Sequence, residues 1–311
     1  MKIAIIGRNE ILYKTAEKIV GQGHDIPLII TAKEAPEYTK TASDFDCFAK
    51  SINAEFIYSP RINNPEITEK IKKIGKIDIA LSMNYPGIIE QKVIDCFNLG
   101  ILNAHGGDLP RYRGNACQAW AIINGEEKIG LCIHKMVAGE LDSGDIILKE
   151  YLPIDINTKI HKVYEWISDR IPEMMLKSIA ALAGNADYYL EHQSKDPKNI
   201  LRCYPRKPED AKIDWQQSST EILRLINASS EPYQGAFCIY NSSIARVWDA
   251  LLYSDSENYL AVPGQVLKIN KDDGSIVVAT GKGKILVKEI ELDNSRSAPA
   301  NYIKSLRDRL T

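Results

Sequence analysis

The chain has 311 residues, 44% hydrophobic and 26% charged, with a formal net charge of −2. That length exceeds one ordinary core and suits two globular domains. A near-neutral chain exerts no global pull on nucleic acid, and no apolar run approaches the roughly 18 residues of a membrane span. The opening "MKIAIIGRNE" is too short an apolar stretch for a signal peptide and lacks a small-residue cleavage site, so a cytoplasmic protein is expected. None of the six cysteines (47, 96, 117, 132, 203 and 238) pairs as CxxC, which argues against zinc and for reduced thiols, mostly in the core.

In chain order, "KIAIIG" is a continuous apolar run closed by Gly7, the pattern of a strand buried on both faces. "DIPLIIT", "AEFIYSP", "IDIALSMNY" and "LGILNAHG" repeat that pattern, with helical periods between them. Strands alternating with helices predict an α/β unit on a mostly parallel, Rossmann-like sheet. Its first turn, "GRNEIL", lacks the GxGxxG of a dinucleotide site. "GLCIHKM" and "DIILKEYLPI" read as further strands, followed by a long amphipathic helix that must accommodate Pro172 as a kink or break. The polar, proline-containing stretch after it reads as a linker. Beyond it, Ser218 or Ser219 is placed to cap a helix. Then "GAFCIY", "ARVWDALLYS", "GQVLKIN", "SIVVAT" and "KILVKEIEL" are short strands with tight turns, which predicts a small barrel or sandwich. The expected division is a catalytic domain at 1–185, a linker at 186–205 and a C-terminal domain at 206–311.

Ligands in open α/β sheets bind beyond the carboxyl ends of the strands, which here are "SMNYPG" (82–87) and "NAHGGD" (103–108). Asn103 and His105 are two apart, so on a strand they share a face. An amide that donates to oxygen, an imidazole that moves protons and Asp142 from the later loop "GELDSGD" could together polarise a carbonyl and hold an oxyanion. On spacing alone, the same residues serve equally as turn caps and core groups. No Ser sits in a GxSxG turn, and His105 with Asp142 is too small a ligand set for a metal. His134, in a strand, reads as packing.

Residues 98–148 carry an Asn-x-His, an "LPRYRG" loop, a G-x-x-x-H strand and a D-x-G loop, in that order. In this the chain resembles the folate-dependent formyltransferase family. The resemblance implies that Asn103, His105 and Asp142 are the catalytic set and that the formyl donor is 10-formyltetrahydrofolate. A neutral amine would attack the formyl carbon, with the oxyanion held by Asn103 and protonated His105. The segments matching the family's pterin site place Leu81, Met83, Asn84, Tyr85, Ile88, Val137, Gly139 and Glu140 at the cofactor. Leu81, Met83 and Ile88 would then line an apolar slot. The chain departs from the family at "GGDL", where Asp108 adds an unassigned charge; with Arg111 and Tyr112 it is a weaker candidate for substrate contact.

The stretches "CYPRKPEDAKIDWQQSSTEILRLINASSEPYQGAF" and "PGQVLKINKDDGSIVVATGKGKILVKEIEL" look like the C-terminal domain of methionyl-tRNA formyltransferases, which implies an OB-like barrel. The same module accompanies formyltransferases acting on a nucleotide-linked amino sugar. Residues 201–311 hold 15 Lys plus Arg against 14 Asp plus Glu, poor material for gripping phosphates. The expected acceptor is therefore a nucleotide-linked amino sugar of surface polysaccharide synthesis, with tRNA disfavoured. Methionyl-tRNA formyltransferase activity is the alternative, and a non-catalytic folate- or nucleotide-binding module a further one.

Overall fold

The computed structural model describes residues 1–184 and 190–311; the expected start of the linker, 186–189, lies outside the described residues. In chain order the elements are β1 (Lys2–Gly7), α1 (Glu10–Gly21), β2 (Asp25–Thr31), α2 (Ala42–Ser51), β3 (Glu55–Tyr58), α3 (Pro65–Ile74), β4 (Ile79–Met83), α4 (Gln91–Ile94) and β5 (Ile101–His105). Then come β6 (Arg113–Gly114), α5 (Cys117–Asn124), β7 (Lys128–Lys135), β8 (Ile146–Pro153), α6 (Ile160–Ala183), β9 (Arg202–Cys203) and α7 (Ser219–Ser229). The last strands are β10 (Ala236–Tyr240), β11 (Ser243–Tyr253), β12 (Val266–Ile269), β13 (Ile276–Ala279), β14 (Lys284–Leu292) and β15 (Ser295–Ser297). Helix α6 runs through Pro172. The chain divides into two compact units: Met1–Gly114, Gly130–Tyr151 and Glu165–Arg202 form the first, and Asn115–Ile129, Leu152–Tyr164 and Cys203–Thr311 the second.

The sheet built on the first unit runs β3-β2-β1-β4-β5-β7-β8. Strands β1 to β5 pair in parallel, and β7 returns antiparallel to β5. Strand order reverses between β1 and β4, the kind of switch point at which ligands bind in open α/β sheets. The two strands approach closely there: a Cβ on Gly7 would lie 1.9 Å from the Met83 carbonyl oxygen. One face buries Ala4, Ile6, Leu28, Ile30, Ala80 and Ile101 under Ile67 and Ile71 of α3 and Val93 of α4. Burying each large aliphatic side chain contributes roughly 1.5–3 kcal/mol. Helix α1 starts where the Asn9 side chain accepts the Leu12 amide, and Pro65 opens α3 behind the Asn64 cap.

In the second unit six strands form an antiparallel sheet, β10-β11-β14-β13-β12, with β15 on β14. The C-terminal segment bonds both of its edges. Asp308 accepts from Val266 and Leu310 donates to Gly264 on the β12 side, while Thr311 exchanges both backbone bonds with Ile239 of β10. These bonds link the two ends of the strand order through the C-terminal segment, as the OB-like expectation requires. The core of this unit holds Val247, Val266, Ile276, Val278, Ile285 and Val287, with Leu223 and Ile226 of α7 packed against them. Ser218 is the cap of α7, in a reciprocal box with Glu221.

Candidate active site

Strand β5 carries Ile101, Asn103 and His105 on one face, and Ile101 belongs to the buried cluster beneath α3 and α4. The antiparallel return of β7 sets His134 directly opposite Asn103. Cross-strand partners share a face, so three polar side chains project together beside the apolar cluster. The loop after β7 brings back Asp142, whose carboxylate lies 3.5 Å from His105 Nδ1 and 3.6 Å from His134 Nε2. The backbone N–H of Gly114 donates to Asp142 Oδ2 at 3.0 Å.

Hydrogen bonding assigns the tautomers. His134 Nδ1–H donates to the Lys135 carbonyl at 2.9 Å, so its Nε2 accepts from Asn103 Nδ2 at 3.2 Å. That bond turns the nitrogen, not the oxygen, of the Asn103 amide toward His134 and leaves its second N–H to point elsewhere. His105 Nε2–H donates to the Tyr112 carbonyl at 2.6 Å. A further proton on His105 therefore lodges on Nδ1, facing Asp142.

Burial pushes the His105 imidazole below its ordinary value, and Asp142 offsets this only in part. Desolvation outweighs the neighbouring carboxylate and favours the uncharged imidazole. For Asp142 burial also works against charge, yet His105, His134 and the Gly114 amide together bring its carboxyl down to about 2. Asp142 rests ionised.

His134, expected as packing, joins the site; the G-x-x-x-H spacing carries a signal for it, but its place opposite Asn103 needs the β5–β7 register. The loop "GGDLPRYRG" is held from below. A Cβ on Gly107 would sit 2.3 Å from the Tyr112 carbonyl oxygen and 2.7 Å from His105 Nε2. Tyr112 is buried, with φ 54°, and the Arg111 guanidinium stands 5.5 Å from its ring centroid. Asp108 accepts from the Tyr151 hydroxyl at 2.9 Å and lies 3.6 Å from Lys149 Nζ, which also reaches the Leu109 carbonyl and Glu191. The unassigned charge thus anchors the loop to β8. Burial and Asp108 push the Tyr151 hydroxyl up to about 12.

The residues expected at the cofactor divide. Ser82 pairs with Asn103, so Leu81 and Met83 point to the opposite face of the sheet, where both are buried. Their side chains cannot line a slot beside Asn103; a one-residue step along a strand reverses the face. Tyr85 is tied down, its hydroxyl donating to the Ser59 carbonyl and accepting from the Ile62 amide. Ile88 and Val137 expose their side chains, Asn84 and Gly139 adopt positive φ, and Glu140 is exposed. Tyr85, Met136 and Ala138 pack on the same buried cluster, so the loops after β4 and β7 flank one face. Exposed apolar groups with turned backbone, on loops flanking the face that carries Asn103, fit a flat, hydrogen-bonding ring system that carries a formyl group.

A mostly parallel sheet with this polar set, followed by an antiparallel sheet, defines a formyl-group transferase. The chain belongs to the formyl transferase family, matching it over residues 1–179, with the formyl transferase C-terminal domain matched over 206–307. It is similar to the methionyl-tRNA formyltransferase of Acetivibrio thermocellus, 30% identical over 95% of this chain and 93% of that one. The Ruminiclostridium cellulolyticum methionyl-tRNA formyltransferase is 27% identical over 98% and 96%. In fold it resembles an N-formyltransferase from Helicobacter canadensis crystallised with folinic acid and dTDP-3-aminofucose: TM-score 0.68, 19% identity, 93% of this chain and 99% of that one.

These relatives overturn the expected nucleotide-sugar acceptor and favour the alternative, methionyl-tRNA, that the charge count had disfavoured. Methionyl-tRNA formyltransferases match nearly the whole chain at 23–30% identity, whereas sugar N-formyltransferases share only the fold. A near-neutral sum over residues 201–311 does not decide the acceptor, because phosphate contacts are made by individual surface cations. In the second unit Asp255 pairs with Lys284, Glu231 and Glu291 with Arg296, and Asp249 with Lys159 and Lys288, while acids such as Glu209, Asp214, Asp272 and Asp293 stay exposed. Among the described residues, Lys268, Lys271, Lys304, Arg307 and Arg309 are exposed and make no ion pair. No helix among the described residues is long and apolar enough to cross a membrane.

Proposed function

We propose that this enzyme transfers the formyl group of 10-formyltetrahydrofolate to the amino group of methionyl-tRNA. The carrying observation is the likeness to methionyl-tRNA formyltransferases across both domains, catalytic and C-terminal. The folate supplies an activated formyl carbon; the chain's own residues do the rest. Asn103, its amide oriented by His134, donates its second Nδ2–H to the oxygen that becomes negative as the amine adds. Neutral His105 and ionised Asp142 form a pair ready to accept the amine's proton on Nδ1. The new C–N bond forms, the bond from the formyl carbon to the folate nitrogen breaks, and the proton passes to that nitrogen. The loops at 84–88 and 137–141 would hold the donor through backbone groups and the exposed Ile88 and Val137.

The unpaired cations Lys268, Lys271, Lys304, Arg307 and Arg309 supply a footing for RNA phosphates, whose contacts dominate such affinity. The test is tetrahydrofolate release with charged initiator tRNA, run beside a panel of nucleotide-linked amino sugars. Formyl-methionyl-tRNA is the expected product. Turnover confined to the sugars would refute the acceptor, and donor binding without turnover on any acceptor would refute the enzyme.

A further inference from the structure

We infer that Gln193, from the stretch read in the sequence as linker, is a positioning residue for Asp142. It is 8% exposed, and its polar atoms tie the Asp142 loop to Arg113. Nε2 donates to the Asp142 carbonyl at 2.9 Å and to the Gly144 carbonyl at 2.7 Å, bracketing Ser143. Oε1 accepts from Arg113 Nη2 at 2.8 Å. The next residue, Gly114, grips the Asp142 carboxylate itself. Two residues before Gln193, Glu191 exchanges both backbone bonds with Ile146 of β8, so the clamp stands on a sheet strand.

The loop needs such a hold. Asp142 sits at φ 48°, the left-handed region that costs a non-glycine residue roughly 1–2 kcal/mol. At Gly144 a Cβ would lie 1.9 Å from the Lys135 carbonyl oxygen, so the turn is pressed against the end of β7. Without Gln193 two loop carbonyls lose their buried donor, and nothing balances the strain at Asp142. The carboxylate then moves away from His105. The inference rests on the reading of Asp142 as half of the proton-accepting pair.

The test compares the full-length enzyme with Gln193→Met, Gln193→Glu and Asp142→Asn. Methionine keeps the bulk and loses every hydrogen bond; glutamate keeps the Arg113 contact but turns an oxygen toward two carbonyls. Both Gln193 variants should lower kcat about tenfold to a hundredfold, the size of an ångström-scale misplacement, with KM nearly unchanged. Protection of the Gly114 amide from hydrogen exchange should fall in both, while protection in β4 and β5 stays as it was. A merely structural role would lower the melting temperature and leave kcat per folded molecule intact. Wild-type kcat together with wild-type Gly114 protection in Gln193→Met would overturn the clamp. Full activity in Asp142→Asn would instead overturn the reading beneath it, and Gly114 exchange would still decide whether Gln193 holds the loop.

Discussion

Asn103→Ala separates catalysis from folding because the structure assigns each a different size. The amide gives one hydrogen to His134 Nε2 at 3.2 Å, and in the proposed mechanism the other serves the developing oxyanion. Losing a preorganised oxyanion donor costs about 2.7–4 kcal/mol of transition-state stabilisation, roughly a hundredfold to a thousandfold in kcat. The folded state loses less: one partly buried hydrogen bond, plus an unsatisfied nitrogen on the buried His134, together about 1–3 kcal/mol. That corresponds to a few degrees in melting temperature for a domain of this size. The assay is stopped-flow or spectrophotometric release of tetrahydrofolate, with a melting curve on the same sample. His134→Ala leaves the amide in place but unoriented, so its kcat should fall between wild type and Asn103→Ala. An Asn103→Ala enzyme within about tenfold of wild-type kcat would refute the oxyanion assignment.

Asp142 titrates below the ordinary carboxylate range when folded, so its stabilising charge is present above about pH 4 and is lost as pH falls toward about 2. The gap in melting temperature between wild type and Asp142→Asn should therefore shrink from pH 7 to pH 3; a constant gap would contradict it. Gly107→Ala drives a methyl into the Tyr112 carbonyl and His105 Nε2. It should break the His105–Tyr112 hydrogen bond and cut kcat by at least about tenfold, and normal turnover would show that the loop gives way freely. Asp108→Asn removes one of the two main causes that raise the Tyr151 hydroxyl, so the ultraviolet titration of this tyrosine should move down from about 12. Reversing Arg307 and Arg309 to Glu should raise KM for the tRNA and flatten its salt dependence while sparing kcat, and an unchanged KM would place the RNA elsewhere.

The sequence by itself determined what depends on short-range periodicity. Continuous apolar runs marked β1, β2 and β4 because a strand buried on both faces has no polar side to show. The two-residue spacing of Asn103 and His105 fixed their common face, since successive side chains on a strand alternate. Ser218 and Ser219 marked the start of α7, and the structure chose Ser218 as its cap. The tertiary structure decided what depends on register between distant segments. His134 joined the site only because β7 runs antiparallel and pairs its Nε2 with Asn103. Leu81 and Met83 left it because Ser82, not its neighbours, lies in register with Asn103. Gln193 has no local pattern at all; its place arises because the chain returns to β8 at Glu191 and drops an amide between two loop carbonyls. Charge behaved likewise: composition gives the sum, but recognition depends on which ions the fold pairs and which it leaves at the surface. Local geometry is written in a window of a few residues, whereas a partner more than thirty residues away is chosen by packing.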